Sequence, residues 1–267
     1  DSTCAIVEGI DPRVRLIRQS RGGVCVARNR GLGEAHAPYI CFLDHDDVWH
    51  SDKVRAQLQA FADHPDAVLV HTDYVMWRPD ADGAFAPAAS LFEPSPDVRV
   101  DADNSGWAYH HLLVDSFILT STAMLRTSDV REVGGFDPAL PYSEDWDLWL
   151  RLSRLKPFVK LAGRFALYRQ LPTQGSRVAR DVDYRTELLK RAIARWGTRS
   201  PNGEAHDERL IQRRMGWFHA EYGLQCLQAG AVARARRSLW QAWRCDPARP
   251  KYLAYLACGS LGWRPRW

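Results

Sequence analysis

The stretch Tyr39-Ile40-Cys41-Phe42-Leu43-Asp44-His45-Asp46-Asp47-Val48-Trp49 decides the fold. It opens as an apolar, β-prone run, the pattern of a buried strand, and stops at three carboxylates within four residues. Two carboxylates ~4 Å apart repel by roughly 4 kcal/mol at an effective dielectric near 20, so such a cluster at a strand end suggests a cation. Hard oxygen ligands favour Mg²⁺ or Mn²⁺, and Mg²⁺ is usually shared between carboxylates and substrate phosphates. Ligands of open α/β sheets bind just outside the carboxyl ends of the strands. An isolated acidic triplet is as simply read as a solvated turn, so the rest of the chain has to choose between the two.

Working outward, Gly22-Gly23 breaks the chain and opens a helix running to about Ala35. Ala27, Gly31 and Ala35 recur every four residues, a face that can lie close against a sheet. Ser51 is expected to cap the next helix, with Val54, Leu58 and Phe61 on its apolar face and Pro65 ending it. Ala67 to Thr72 reads as a buried strand, and Val14-Arg15-Leu16-Ile17 as a short one. Strand–helix–strand–helix–strand at these lengths implies right-handed parallel crossovers. Residues 78–106, rich in Pro, Asp, Ala and Ser, read as a long irregular insertion. Phe117-Ile118-Leu119, Ala123-Met124-Leu125 and Phe165 to Tyr168 are further strand candidates. Gly134-Gly135-Phe136-Asp137-Pro138 is a turn. Ser143 is a plausible cap for a helix over Glu144 to Leu152, with Leu148 and Leu152 on one face. Beyond about Asp183 the pattern is wholly helical. Tyr222-Gly223, Gly230, Ala235, Leu239, Ala242 and Asp246-Pro247 are spaced as in a tetratricopeptide-type helix–turn–helix unit, which needs a neighbour to cover its apolar face. The expected division is therefore 1–182, an α/β domain, and 183–267, a helical extension.

Composition narrows the classes. The 267 residues are 46% hydrophobic and 11% aromatic, enough for a substantial core. Net charge is +4, arginine supplies all but five of the positive residues, and no basic block resembles a nucleic-acid tail. The six cysteines show neither CxxC nor zinc spacing, and a reducing cytoplasm is the simplest compartment. Tyr252 to Leu261 is too short to span a bilayer, which leaves peripheral association with the inner face of a membrane open. The opening residues do not read as a signal peptide. An α/β domain ordinarily opens on a strand, whereas Asp1-Ser2-Thr3 looks like a helix cap, so further sequence is expected ahead of it.

A second acidic site, Glu144-Asp145, starts a helix about a hundred residues after the first. Helix dipoles favour carboxylates there, so capping alone would account for it. Tyr142, Trp146 and Trp149 around it could stack on a sugar, although core packing explains each tryptophan singly. Taken together the stretches resemble the family 2 inverting glycosyltransferases of GT-A fold. Ala27-Arg28-Asn29-Arg30-Gly31-Leu32 looks like the family's ARN-x-G-L helix, and Phe42 to Trp49 like its F-L-D-x-D-D-x-W metal motif. Gly134-Gly135-Phe136-Asp137 and Glu144-Asp145-Trp146-Asp147-Leu148-Trp149-Leu150-Arg151-Leu152 look like its G-G-F-D and E-D-W-D-L-W-x-R-L segments. The resemblance covers residues 1–176 and four motifs in family order.

The resemblance implies a GT-A, Rossmann-like, mostly parallel sheet flanked by helices. It also implies transfer of a sugar from a nucleotide-diphosphate sugar to a hydroxyl acceptor with inversion. Asp44 and Asp46 would hold Mg²⁺ or Mn²⁺ on the donor diphosphate, with Asp47 hydrogen-bonding around them. Asp145 would be the general base, needing no large pKa shift to be ionised at pH 7. Glu144 would orient the acceptor or the base, and Arg28 would lie near the nucleotide or diphosphate. The acceptor would be a saccharide, a lipid-linked group or a protein, in bacterial surface polysaccharide or glycoconjugate synthesis. The C-terminal helices leave a protein partner open, and His110-His111 and Trp107 are candidates for acceptor contacts. Two departures stand out. The family's opening strand–helix–strand, ending D-D-G-S-x-D, has only Asp1-Ser2-Thr3 as a counterpart, so the domain is expected to lack its first two strands. Leu171 stands where the family often has a His that can touch metal or diphosphate, leaving Arg169 or Arg177 as replacements. A nucleotidyltransferase, disfavoured by Glu144-Asp145, and an inactive fragment serving as a binding module are the competing readings.

Overall fold

A computed structural model describes residues 2–171 and 180–260 of the chain. Arg177 therefore lies outside the described residues. In chain order the elements are α1 (Thr3–Glu8), α2 (Val24–Gly33), β1 (Tyr39–Cys41), β2 (Val48–Trp49), α3 (Lys53–Asp63), β3 (Leu69–Trp77), α4 (Tyr109–Leu112), β4 (Met124–Arg126), α5 (Thr127–Glu132), α6 (Glu144–Leu152) and β5 (Phe158–Arg169). Then follow α7 (Tyr184–Trp196), α8 (Glu208–Gln228), α9 (Val232–Cys245) and α10 (Lys251–Ser260).

Side chains alternate across the sheet and both faces are buried. Leu69, Leu125 and Phe158 point into one apolar layer, and their neighbours Val70, Met124 and Val159 into the other. The second layer is covered by α3 through Ala56, Ala60 and Phe61. The first is covered by α2, α4, α6, α7 and the first half of α8.

The strand order is β1-β4-β3-β5-β2. The expected mostly parallel sheet is corrected here: only β3 and β5 pair in parallel, and the other three pairings are antiparallel. β4 runs antiparallel to both β1 and β3, so β1 and β3 keep the common direction that a crossover gives them. The strand candidate at Ala123-Met124-Leu125 is β4, and what local pattern could not supply was its place between the two. Val14 to Ile17 joins no ladder, because no strand lies beside it among the described residues. Phe117 to Leu119 likewise forms no strand and runs into a 3₁₀ turn at Thr120–Thr122.

Two helix faces also differ from expectation. α2 packs through Cys25 and Leu32, while Ala27 and Gly31 face solvent, and no atom lies within 4 Å of where a Gly31 Cβ would sit. In α3, Val54 and Leu58 are exposed and the buried face includes Lys53 and Gln57. That face is possible because its polar groups are satisfied. The Lys53 ammonium donates to Gln57 Oε1 (2.7 Å) and stands 4.2 Å from the Trp49 ring centre, and Gln57 Nε2 donates to the carbonyls of Val70 and Thr122. Asp52, not Ser51, precedes the first turn, without a side-chain capping bond.

The insertion over 78–106 is partly drawn onto the sheet. Residues 99–106 run against the outer edge of β5, with hydrogen bonds linking Gly106 to Phe158, Asp101 to Lys160 and Ala162 to Arg99. Gly163 permits this approach, since a Cβ there would come within 2.4 Å of the Asp97 carbonyl oxygen. At the other end of the chain α8 and α9 form an antiparallel hairpin turned at Gly230 (φ +75°), with Gly223 fitted against Leu239. The second half of α8, α9 and Tyr252 of α10 make a separate apolar cluster, whereas Ile211, Met215 and Phe218 of α8 join the core of the sheet.

Candidate active site

The turn after β1 is shaped by one serine. The Asp44 backbone N–H donates to Ser121 Oγ (3.2 Å), that hydroxyl donates to Asp47 Oδ2 (2.6 Å), and the Trp49 indole N–H donates to the Ser121 carbonyl (2.6 Å). The other Asp47 oxygen accepts from the backbone N–H of Arg169 at the end of β5 (3.1 Å). Asp47 is buried, and burial pushes its carboxyl up to about 6 against the lowering effect of these hydrogen bonds. Its work is to tie the acidic turn to β5. Asp44 is left open to solvent, with Asp46 two residues on more covered.

The second acidic stretch begins α6. Ser143, at φ +62°, is the only non-glycine residue at positive φ among the described residues, and it offers no capping bond. Glu144 and Asp145 therefore enter the first turn from a left-handed residue, near the positive end of the helix. Asp145 accepts from Thr120 Oγ1 (3.0 Å) and from the Trp146 backbone N–H (2.7 Å). Burial raises its carboxyl above the ordinary range, with those two hydrogen bonds opposing. Burial and the nearby Asp145 charge raise Glu144 as well.

Arg28 joins the two stretches. Its guanidinium donates to Asp44 Oδ1 (2.6 Å) and to Glu144 Oε1 (2.9 Å), and it lies 5.2 Å from the Phe136 ring centre. The next residue fixes the helix that carries it. Asn29 Nδ2 donates to the Phe136 carbonyl (2.7 Å) and Asn29 Oδ1 accepts from the Phe136 N–H (2.8 Å). Gly135 admits this contact: its φ is +68°, and a Cβ there would lie 2.5 Å from Asn29 Oδ1. Arg151 completes the frame, donating to the carbonyls of Val133 and Gly135 and to Asp147 Oδ2.

Asp44, Glu144 and Asp145 line one cleft of about 590 Å³. Arg28 bridges two of them, and Asp46 is not among the lining residues. Asp44 and Asp46 supply the hard oxygen donors that Mg²⁺ or Mn²⁺ takes, and such an ion needs only one or two carboxylates when phosphates complete its shell, so the residues present fit the ion. Trp149 is in the core, and Trp146, its N–H donating to the Leu112 carbonyl, is buried as well and only borders the cleft. Arg169, a candidate to replace the missing His, stacks over Trp77 (4.1 Å to the ring centre) and does not line the cleft. Sequence reading did not single out Tyr74, Tyr168, Arg185, Arg214 or Trp217, which also line it. Tyr74 and Tyr168 sit toward the carboxyl ends of the parallel pair β3 and β5, a signal that could have been used. The other three come from α7 and α8, and nothing local marks them.

A cleft lined by carboxylates and arginines at the carboxyl ends of the parallel strands is where open α/β sheets bind ligands. Residues 1–88 match the model of Glycosyl transferase family 2. The amylovoran biosynthesis glycosyltransferase AmsB of Erwinia amylovora is 31% identical over 157 residues, covering 56% of this chain and 48% of that protein. An uncharacterised glycosyltransferase of Rickettsia prowazekii is 26% identical over 157 residues, covering 58% and 46%. The chain thus spans about half the length of these relatives. The structure of residues 1–349 of Staphylococcus aureus TarS in complex with UDP-GlcNAc aligns with all of this chain and 81% of its own, at a TM-score of 0.50 and 14% identity, a likeness of fold. No helix among the described residues is long and apolar enough to cross a membrane.

Proposed function

We propose that the chain carries the transfer site of a glycosyltransferase that moves a sugar from a nucleotide-diphosphate donor to a hydroxyl acceptor with inversion. One observation carries this reading: Asp44 and the Glu144-Asp145 pair, a hundred residues apart, share one cleft and one arginine. The family match over residues 1–88 and the similarity to named glycosyltransferases support it. In this reading residues 1–182 form the transfer domain and residues 183–267 a helical extension that contributes Arg185, Arg214 and Trp217 to the cleft wall.

The residues divide the chemistry. Asp44 and Asp46 hold Mg²⁺ or Mn²⁺, which when bound neutralises charge on the departing diphosphate. Asp145 takes the proton of the acceptor hydroxyl as it attacks the anomeric carbon from the face opposite the diphosphate. The elevated pKa brings the base nearer to working pH, which strengthens it as a proton acceptor while leaving it ionised above that pKa. Thr120 and the Trp146 N–H fix its orientation. Glu144 holds Arg28 and borders the acceptor side, and Arg28 keeps Asp44 close to Glu144 while countering their charges. TarS was solved with UDP-GlcNAc, which puts UDP-sugars first among donors to try, for acceptors of saccharide, lipid-linked or protein type in surface glycan assembly. Incubation with a panel of UDP-, GDP- and dTDP-sugars in Mn²⁺ tests the reading. Sugar transfer or donor cleavage with one nucleotide class, lost in Asp145→Asn, is expected. Turnover that survives both Asp145→Asn and Asp46→Asn would overturn it.

A further inference from the structure

His110 and His111 on α4 meet His206, from the segment between α7 and α8, and none of the three is among the cleft-lining residues. The ring centres are 3.9 Å apart for His110 and His111, 5.0 Å for His110 and His206, and 4.9 Å for His111 and His206. His206 Nε2 lies 3.0 Å from His111 Nδ1, and one potential ligand atom from each ring falls within 4.8 Å of the others. Among the described residues this is the only group of three or more His, Cys, Asp or Glu gathered so closely.

The surroundings point the rings inward. Ser200 Oγ accepts the His110 backbone N–H (3.0 Å), lies 2.7 Å from His110 Nδ1 and is directed at the Trp107 carbonyl (3.5 Å). The 2.7 Å contact accommodates Nδ1–H as donor to Ser200, the tautomer that leaves Nε2 with its lone pair. A histidine that gives one ring N–H to a neighbouring oxygen and presents the other nitrogen has the arrangement usual for metal-binding histidines. The segment is also fixed independently: Arg199 bridges Ala205, its guanidinium donates to the Gly203 carbonyl, and its own carbonyl accepts from Arg154. Two nitrogens bound at about 2.0–2.1 Å around a tetrahedral ion stand about 3.3–3.4 Å apart, so the 3.0 Å pair needs to open by only a few tenths of an ångström.

We propose that His110, His111 and His206 bind a divalent transition metal of the zinc type, with water in the remaining position. The bound ion clamps the segment ahead of α8 to α4, whose Leu112 carbonyl accepts from the residue following Asp145. All-nitrogen donors separate this site from Asp44 and Asp46, which suit a hard cation. It does not depend on the proposed transfer reaction.

Titrating chelator-treated protein with Co²⁺ tests the site through its visible ligand-field bands, with Zn²⁺ as competitor and melting temperature as second readout. One equivalent of Co²⁺ giving bands that Zn²⁺ removes, and a melting temperature raised by Zn²⁺ but not by Mg²⁺, are expected. His206→Gln, on a surface segment, and His111→Gln should each weaken binding more than about 100-fold, beyond what losing an outer hydrogen-bond partner costs. Asp44→Asn should leave the bands in place, and circular dichroism verifies the fold of each variant. Absence of bands in the wild-type protein, bands that persist in folded His206→Gln, or bands lost in folded Asp44→Asn would each overturn the proposal.

Discussion

The stretches 44–47 and 144–147 are alike on paper, each with three carboxylates in four residues, yet their surroundings give them different work. In the first, Asp47 is buried with no cationic partner among the described residues, held by a serine and a backbone N–H, and its carboxyl rises to about 6. In the second, the corresponding structural residue is Asp147, paired with Arg151. The first stretch turns Asp44 to the more open side of the cleft, and the second turns Glu144 and Asp145 to it, Asp145 in a desolvated place. Residue type and spacing do not assign such roles; the partners and the depth of burial do. Arg28 makes the two stretches one site.

The largest expected effect separates Asp145 from its neighbours. Asp145→Asn should slow transfer by about 10²–10⁴ with the donor KM little changed, the usual size for a positioned base. Steady-state kinetics on whichever donor is accepted checks it, and an equal loss in Asp147→Asn without unfolding would erase the distinction. The acid limb of kcat/KM in the wild-type protein should lie above the ordinary carboxylate range, since the folded-state pKa of Asp145 is raised.

Removing the joint comes next. Arg28→Ala leaves the largely buried Glu144 without its cation and the half-exposed Asp44 without its partner, and should cost about 3 kcal/mol of stability, read by urea denaturation. Arg28→Lys should restore only part, because a single ammonium cannot fork to two carboxylates. Gly135→Ala should cost about 2 kcal/mol through its left-handed backbone and its clash with Asn29, and should loosen the helix that presents Arg28.

The smallest effect isolates Asp47. Its folded pKa of about 6 lies above the ordinary aspartate value of 3.8, so between those values the folded protein holds more protons than the unfolded chain. Its contribution to stability therefore falls as pH rises from about 4 to about 6. Asp47→Asn removes that slope while an amide can still face Ser121 and the Arg169 N–H. The stability of the variant relative to wild type should climb by on the order of 2 kcal/mol across that window, measured by denaturation at each pH. An unchanged difference would mean that the carboxyl is not desolvated.

Much of this was legible in the residues. The buried strand over 69–72, the helix over 144–152 and the acidic turn are visible because their patterns are local. Sheet order was not, because the partner of Tyr39–Cys41 is Met124–Arg126, brought there by the tertiary fold. Helix faces were misassigned where small or polar residues compete with apolar ones: α2 buries Cys25 and Leu32 rather than its alanine and glycine face. α3 hides a lysine and a glutamine that periodicity would leave outside, since Gln57 is met by the carbonyls of Val70 and Thr122 from other parts of the chain and Lys53 in turn bonds to Gln57. For the site, motif resemblance named Arg28, Asp44, Asp46, Glu144 and Asp145, but the bridge through Arg28 and the walls from α7 and α8 exist only in three dimensions.

The most direct measurement compares Asp44→Asn with Asp145→Asn for Mn²⁺-dependent donor binding, by calorimetry, alongside transfer rate. Asp145→Asn is expected to bind donor as the wild type does and to fail in transfer, whereas Asp44→Asn is expected to lose the Mn²⁺-dependent part of donor binding. Wild-type transfer by Asp145→Asn, or undiminished Mn²⁺-dependent donor binding by Asp44→Asn, would contradict the division of work between the two acidic stretches.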